Sequence, residues 1–368
     1  YNICEIYASN IDWPNWNIKF WKKKEEGAIW RWILLDLDYG FGAGTKVDYN
    51  MIGYTASPVK TRVTNPPSAT VLFRKLLEFP EFKNDFIQRF AASLNVIYSP
   101  ERVLRIIKKF EDQRSKEMPF EIERWASSIY RSPWGKFRIP LSMTEWDEEI
   151  EVMRDFARKR PNYVRKNLAE KFQLKKMVDI NTNSSGGHIV INTIRLAEGN
   201  LEGSYFKDIP MKMEAIPNPG QRFRYWIVNG KKVHSKILKF NPEANGTVSA
   251  IFNNASQTEL PSIIRKNTTL STSNSPYYAA GDVVIDSGAI LTIEKGVQVL
   301  MEKHRSIIVF GGLACHGTNT EPILIIPNPH TKTSEWGALC IDNASSAIEL
   351  NHVDLLGGTW YDDKTKYK

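Results

Sequence analysis

Cysteine is scarce in this 368-residue chain: Cys4, Cys315 and Cys340 lie far apart, with no CxxC pair and no histidine at ligand spacing. That excludes a disulfide framework and a four-ligand zinc site. Cys315 and Cys340 both sit in β-patterned sequence, as buried free thiols or as neighbours on successive rungs of a repeat. His304, His316, His330 and His352 have no i, i+4 pairing and read as surface or corner residues rather than a metal cluster. Long apolar runs are also missing, and none approaches the roughly 18 residues that a transmembrane helix needs. Clustered charge of one sign is lacking too. The 49 basic and 41 acidic residues, net +8, are interspersed. Lys22-Lys23-Lys24 is followed at once by Glu25-Glu26, a hairpin tip rather than a nucleic-acid face.

What remains is an ordinary globular composition, 42% hydrophobic and 24% charged, in a chain long enough for two or three domains. Its most informative stretch is residues 10–44, NIDWPNWNIKFWKKKEEGAIWRWILLDLDYGFGAG. Trp30, Trp32, Ile33, Leu34 and Leu35 predict a buried strand ending in Asp36-Leu37-Asp38-Tyr39-Gly40. Two spacings fit phosphoryl-transfer chemistry. In kinase-type sites an Asp accepts the substrate hydroxyl proton, an Asn five positions on ligates Mg²⁺, and an Asp-Phe-Gly holds the metal. Asp12 and Asn17 have the first spacing, and Asp38-Tyr39-Gly40 the second with Tyr for Phe. Carboxylate and amide oxygens suit Mg²⁺ better than Zn²⁺. The same residues also read as a turn at residues 12–15, a hairpin through residues 22–27 and a strand ending at Asp36.

YNICEIYASNIDWPNWNIKFWK, then WRWILLDLDYGFG, then LFRKLLEFPEFKNDFIQRFA resemble, in that order, the CotH family of atypical secreted protein kinases, over about residues 1–174. The resemblance implies an ATP- and Mg²⁺-dependent kinase that phosphorylates hydroxyl side chains, mostly serine, on a secreted or surface bacterial protein. It assigns Asp12 as the catalytic-loop acid, Asn17 as a metal ligand and Asp38 as the metal-binding Asp. Asp36 and Asp38 share a face on an extended strand, so either reaches the metal. Only 11 residues precede Asp12, so the glycine-rich loop and phosphate-pairing Lys of a kinase are expected to be missing, with weak ATP binding and little activity by this chain alone.

After the acidic stretch, residues 40–68 read as a long loop in which Tyr54, Thr55 and Arg62 could approach the acceptor. Phe79, Phe82, Phe86, Phe90 and Leu94 recur at helical spacing after Pro80, and Ser99-Pro100 opens a second helix carrying Val103, Ile106, Ile107 and Phe110. Trp125, Trp134 and Trp146 are core or interface anchors in this helical part. Pro161 is expected to interrupt the pattern of Met153, Phe156 and Ala157, leaving Arg158-Lys159-Arg160 at a helix end.

Beyond Leu174 the periodicity shifts towards two, with closely spaced Gly and Pro turns. GSYFKDIPMKMEAIPNPGQRFRYWIVNG resembles small β modules of bacterial surface proteins, with Phe223, Trp226 and Val228 as core. Residues 253–278 are Ser/Thr-rich and read as an extended linker. DVVID, ILTIE, VQVLM, SIIVFG, ILIIP, GALCID and AIELNHV then resemble the opening rungs of a right-handed parallel β-helix, which stops after Gly358.

The expected fold is α+β and multidomain: a CotH-type core over residues 1–180 corresponding to a helical kinase C-lobe, an all-β module over 183–252, a linker over 253–278, and a partial β-helix over 279–368. The expected function is transfer of the ATP γ-phosphoryl to Ser/Thr of a secreted or surface acceptor protein. The alternative is a non-catalytic adhesive surface protein whose β domains bind cell-wall, carbohydrate or host ligands. Neither nucleic acid nor a membrane span is expected as a partner.

Overall fold

The computed structural model describes residues 1–57, 65–128, 130–132, 135–137, 139–197 and 199–359. Arg62 and Trp134, both singled out above, lie outside the residues so described. Two compact units are present: Tyr1–Asn183 with Ile189–Glu214 and Trp226–Ser249, and Ser184–His188 with Ala215–Tyr225 and Ala250–Lys368.

The first unit begins with a short helix, α1 (Asn2–Ala8), whose last residues are fully buried. An antiparallel hairpin follows, β1 (Lys19–Trp21) and β2 (Arg31–Ile33), with Phe20 opposite Trp32. The turn between them carries Lys23 and Glu25 as an exposed ion pair. This hairpin corrects the expected buried strand. Trp30, Trp32, Ile33 and Leu34 are 41–55% exposed, in a sheet of two strands only. Apolar content favoured the strand but did not bury it.

Residues 40–68 are not one loop. They contain α2 (Met51–Ala56), capped by the Asn50 side chain accepting from the Gly53 amide. Thr55 is fully buried, with its hydroxyl on the Met51 carbonyl, which removes it from any acceptor surface. Three helices follow: α3 (Val71–Leu76), α4 (Pro80–Val96) and α5 (Pro100–Arg114). Pro80 and Pro100 both occupy first-turn positions, and the Ser99 hydroxyl caps α5 by accepting from the Arg102 amide. Phe86, Phe90 and Leu94 of α4 are buried, whereas Phe79 precedes the helix and stays exposed.

Next come α6 (Met118–Trp125), a small hairpin of β3 (Tyr130–Ser132) and β4 (Gly135–Phe137), and the 30-residue α7 (Met143–Phe172). Trp146, Ile150 and Ala157 of α7 pack with Val103 and Ile107 of α5. Trp125 is exposed and does not join that core. Pro161 lies inside α7 without ending it. Arg160 is therefore not a helix-end cation but a buried residue in the middle of a long helix. The roughly 3 kcal/mol that an interior proline costs is offset by burial of Phe156, Ala157, Val164 and Leu168 on the same helix.

The β region that follows forms two antiparallel-rich sheets from β5 (Met177–Ser185), β6 (Gly187–Ile191), β7 (Ile194–Arg195), β8 (Gly199–Phe206), β9 (Met211–Pro217), β10 (Gln221–Val228), β11 (Lys231–Val233), β12 (Ile237–Phe240) and β13 (Gly246–Asn254). Their orders are β11-β10-β13-β5-β8 and β12-β9-β6-β7. Trp226 is fully buried, as expected, and donates its indole N–H to the Ser235 carbonyl. Within the first unit, this region is joined to α4. The Gln88 side chain donates to the carbonyls of Phe206 and Ile209 and accepts from the Phe206 amide. Asn95 donates to Ser204.

The second unit contains a parallel solenoid. Its successive triplets are β14 (Thr258–Glu259), β15 (Ile263–Ile264) and β16 (Thr268–Leu270); β17 (Tyr277–Ala279), β18 (Val283–Ile285) and β19 (Ile290–Glu294); β20 (Gln298–Met301), β21 (Ile307–Val309) and β22 (Gly312–His316); and β23 (Ile323–Pro327), β24 (Leu339–Ile341) and β25 (Ile348–Asn351), before β26 (Val353–Leu355). Each strand pairs in parallel with the one three places on, giving three sheets of β-helix type. Side chains stack in ladders, Leu270 on Ile293 on Cys315 on Leu350 in one sheet, and Ile264 on Ile285 on Val309 on Ile341 in another. The Ser/Thr-rich stretch over 253–278 is thus not an extended linker but supplies the first rung. Cys315 lies in the buried ladder, its thiol pushed up to about 11 by burial, and Cys340 lies in a different sheet; neither is in a disulfide.

Candidate functional site

The site is built on the end of α1. Ser9 caps that helix in the left-handed region, returning its amide to the carbonyls of Glu5 and Ile6. The chain then turns through Asn10, Ile11 and Asp12 to Asn17. Asn17 also has positive φ, a conformation asparagine tolerates, and donates its Nδ2 to Asp12 Oδ2 at 2.7 Å. The five-residue spacing therefore closes a real contact. With its amide nitrogen committed to Asp12, Asn17 keeps its Oδ1 as a donor oxygen for something else.

The second acidic turn comes back to the same place. Phe41 donates its amide to the Ala8 carbonyl at 2.9 Å, and Gly40 to Leu37 at 2.9 Å, folding Asp38-Tyr39-Gly40 against the end of α1. A Cβ on Gly40 would stand 2.9 Å from the Ala8 oxygen and 3.0 Å from the Leu37 oxygen, so only glycine fits that approach. Thr45 bonds both the Ser9 hydroxyl and the Ser9 carbonyl.

Asp36 and Asp38 lie beyond the end of β2, not on it, and Asp36 has a φ of 54°. They do not share a strand face as expected, yet the turn still brings the two carboxyls together: the Asp36 pKa is raised, chiefly by the Asp38 carboxyl beside it, then by desolvation and the charge of Asp12. Three carboxylates thus share one negative field that a divalent cation would relieve. Asp12 and Asn17 are half-buried, and Asp36 and Asp38 are exposed.

Beneath this surface lies a group the sequence did not flag. Glu5 is fully buried in α1, and burial lifts its carboxyl to about 7. Its Oε2 accepts from Asn10 Nδ2 at 3.1 Å, while Oε1 has no hydrogen-bond partner among the described residues. Deeper still, Arg160 donates to four backbone carbonyls: Nε to Tyr7, Nη2 to Ile6, and Nη1 to Val47 and Tyr49, all at 2.7–2.9 Å. Its guanidinium stands 5.5 Å from the Phe156 ring centre, and desolvation lowers its pKa to about 10. Arg160 thereby ties α1 and the segment after the second acidic turn to α7. In sequence it was one of three consecutive cations, and nothing local distinguished it.

Among the described residues, no three His, Cys, Asp or Glu side chains converge closely enough to hold a metal by themselves. The donor set still fits Mg²⁺, which takes one or two carboxylates and fills its remaining positions with water and phosphate oxygens. Asp38, Asp36 and the free Asn17 oxygen are hard donors of that kind. Beside the site, a cavity of about 380 Å³ is lined by Tyr1, Trp13, Trp32, Phe73 and Phe86 among others. No described helix is long and apolar enough to cross a membrane.

No curated protein and no solved structure matches the chain. Residues 1–164 match the family model described as CotH kinase protein.

Proposed function

We propose that residues 1–164 carry the acidic half of a phosphoryl-transfer site that moves the ATP γ-phosphoryl to Ser/Thr hydroxyls of an acceptor protein. The family supports a kinase that uses nucleotide, metal and a protein substrate. The observation that carries the finer reading is the Asn17–Asp12 bond lying beside the Asp36–Asp38 pair. Two acidic turns separated in sequence by the hairpin come together at the end of α1.

In this reading Asp12 accepts the acceptor hydroxyl proton, held in place by Asn17 Nδ2 on its other oxygen. Asn17 Oδ1, Asp38 and Asp36 hold Mg²⁺, which when bound neutralises phosphate charge. A bond forms between the acceptor oxygen and Pγ, the bond from Pγ to the β,γ-bridging oxygen breaks, and ADP leaves. The setting proposed is a secreted or cell-surface one, supported by the solenoid, whose sequence resembles those of bacterial surface proteins.

The test is transfer of labelled phosphate from ATP to dephosphorylated casein, with binding of Mn²⁺ in the presence of ATP followed by electron paramagnetic resonance. Asp12→Asn should lower transfer about 10²–10⁴-fold with little change in Mn²⁺ binding, and Asp38→Asn should weaken Mn²⁺ binding. Variants that match the parent in both measurements overturn the proposal.

A second reading, a non-catalytic binding protein, draws on the exposed aromatic hairpin, where Phe20, Trp30 and Trp32 stand open to solvent. Transfer that depends on Asp12 refutes it.

A further inference from the structure

The Asn10 side chain bridges the two acidic turns. Asn10 is fully buried. Its Oδ1 accepts from the Asp12 amide at 3.2 Å, and its Nδ2 donates both to the Asp36 carbonyl at 3.2 Å and to Glu5 Oε2 at 3.1 Å. An asparagine amide offers two N–H donors and an acceptor oxygen, and here both ends are engaged. One partner belongs to the Asp12 turn, one to the Asp36–Asp38 turn, and one to α1. Because the backbone beside each acid is the point of attachment, the amide sets how far apart the two acidic turns stand.

We infer that Asn10 is a positioning residue, oriented by the buried Glu5, that fixes the spacing between Asp12 and the Asp36–Asp38 pair. The inference rests on the phosphoryl-transfer reading of those acids. Asn10 lies behind the carboxylates, with its contacts to backbone and to Glu5, so its effect is exerted through their placement.

Glu5 gives the bridge its direction. The Oε2 acceptor requires the amide nitrogen on its side, which leaves Oδ1 for the Asp12 amide. Replacing Asn10 by Asp removes both donors and sets a carboxylate against Glu5 and against the Asp36 carbonyl. Replacing Glu5 by Gln at the same time restores a donor facing position 10 and returns one of the two lost bonds.

The experiment uses the whole chain, with Mn²⁺ as probe in the presence of ATP, alongside casein phosphorylation and amide hydrogen exchange at Asp12. Asn10→Ala is expected to weaken Mn²⁺ binding about tenfold and to lower kcat about ten- to a hundredfold with the KM for ATP little changed, as misplacement of about 1 Å does. Exchange at the Asp12 amide should quicken. Asn10→Asp should be as damaging, and the double variant Glu5→Gln/Asn10→Asp should recover at least threefold of the Mn²⁺ affinity. Recovery distinguishes an oriented bridge from loss of packing, and it remains readable if Asn10→Ala fails to fold.

Asn10→Ala with parental Mn²⁺ affinity and kcat, or a double variant no better than Asn10→Asp, overturns the inference. If Asp38→Ala also leaves Mn²⁺ binding untouched, the phosphoryl-transfer reading is the one that fails.

Discussion

Glu5→Gln should change how stability depends on pH, and the size of the change follows from burial. The Glu5 carboxyl moves from an ordinary 4.5 to about 7 in the folded chain, chiefly by desolvation and against the lowering effect of its Asn10 bond. An acid whose folded pKa lies above its unfolded value contributes stability that is fully present below the unfolded value. That contribution is lost as pH rises through the folded value. A displacement of that size corresponds to about 3 kcal/mol, at about 1.4 kcal/mol per pH unit. Between pH 4.5 and 7, ionising Glu5 therefore works against folding. Glutamine keeps an oxygen for Asn10 Nδ2 and never ionises. Urea unfolding followed by tryptophan fluorescence, from pH 4.5 to 8, should show the variant gaining on the parent by about 3 kcal/mol across that window. Other titrating groups cancel in the difference. A difference that stays flat within 0.5 kcal/mol, or one that falls with pH, would refute the reasoning.

Further outcomes follow from the two units. Arg160→Met leaves the carbonyls of Ile6, Tyr7, Val47 and Tyr49 without their donor, and should cost about 3–4 kcal/mol in urea unfolding. The same variant should lose Mn²⁺ binding, because both acidic turns hang from those segments. In the solenoid, a Cβ on Gly311 would lie 2.1 Å from the Ala289 carbonyl oxygen and 2.4 Å from that of Asp286, both backbone atoms that cannot swing aside. Gly311→Ala should therefore destabilise the solenoid by about 2–4 kcal/mol, read as a lower unfolding midpoint, while Mn²⁺ binding at the acidic turns stays unchanged.

Features written in adjacent residues were legible. Ser99-Pro100 starts a helix because a hydroxyl and a fixed φ act within one turn. Asp12 and Asn17 meet because five residues are enough to close the loop between them. What failed to show depended on distant partners. The 28–35 run is as apolar as a core strand, yet burial is set by whatever layer lies over it, and that is not encoded in the run. Arg160 differs from Arg158 and Lys159 only in the carbonyls that face it, which come from residues more than 110 positions earlier. Residues 253–278 looked like a spacer because two-residue strands such as Ile263–Ile264 have no periodicity to display. Their pairing comes from the next rung, Ile263 on Val284 and Ile264 on Ile285. Glu5 and Asn10 gave the weakest signal, since a single acid in an apolar helix suggests solvent exposure until its neighbours are known.

The Arg160 clamp also has a consequence in time. Ile6 and Tyr7 leave the ribosome long before the arginine that holds their carbonyls, which follows 153 residues after Tyr7. At about 5–20 residues per second, that interval is roughly 8–30 s. Throughout it, α1 and both acidic turns exist as chain without that clamp, so the segments Arg160 fastens are made well before the helix that fastens them.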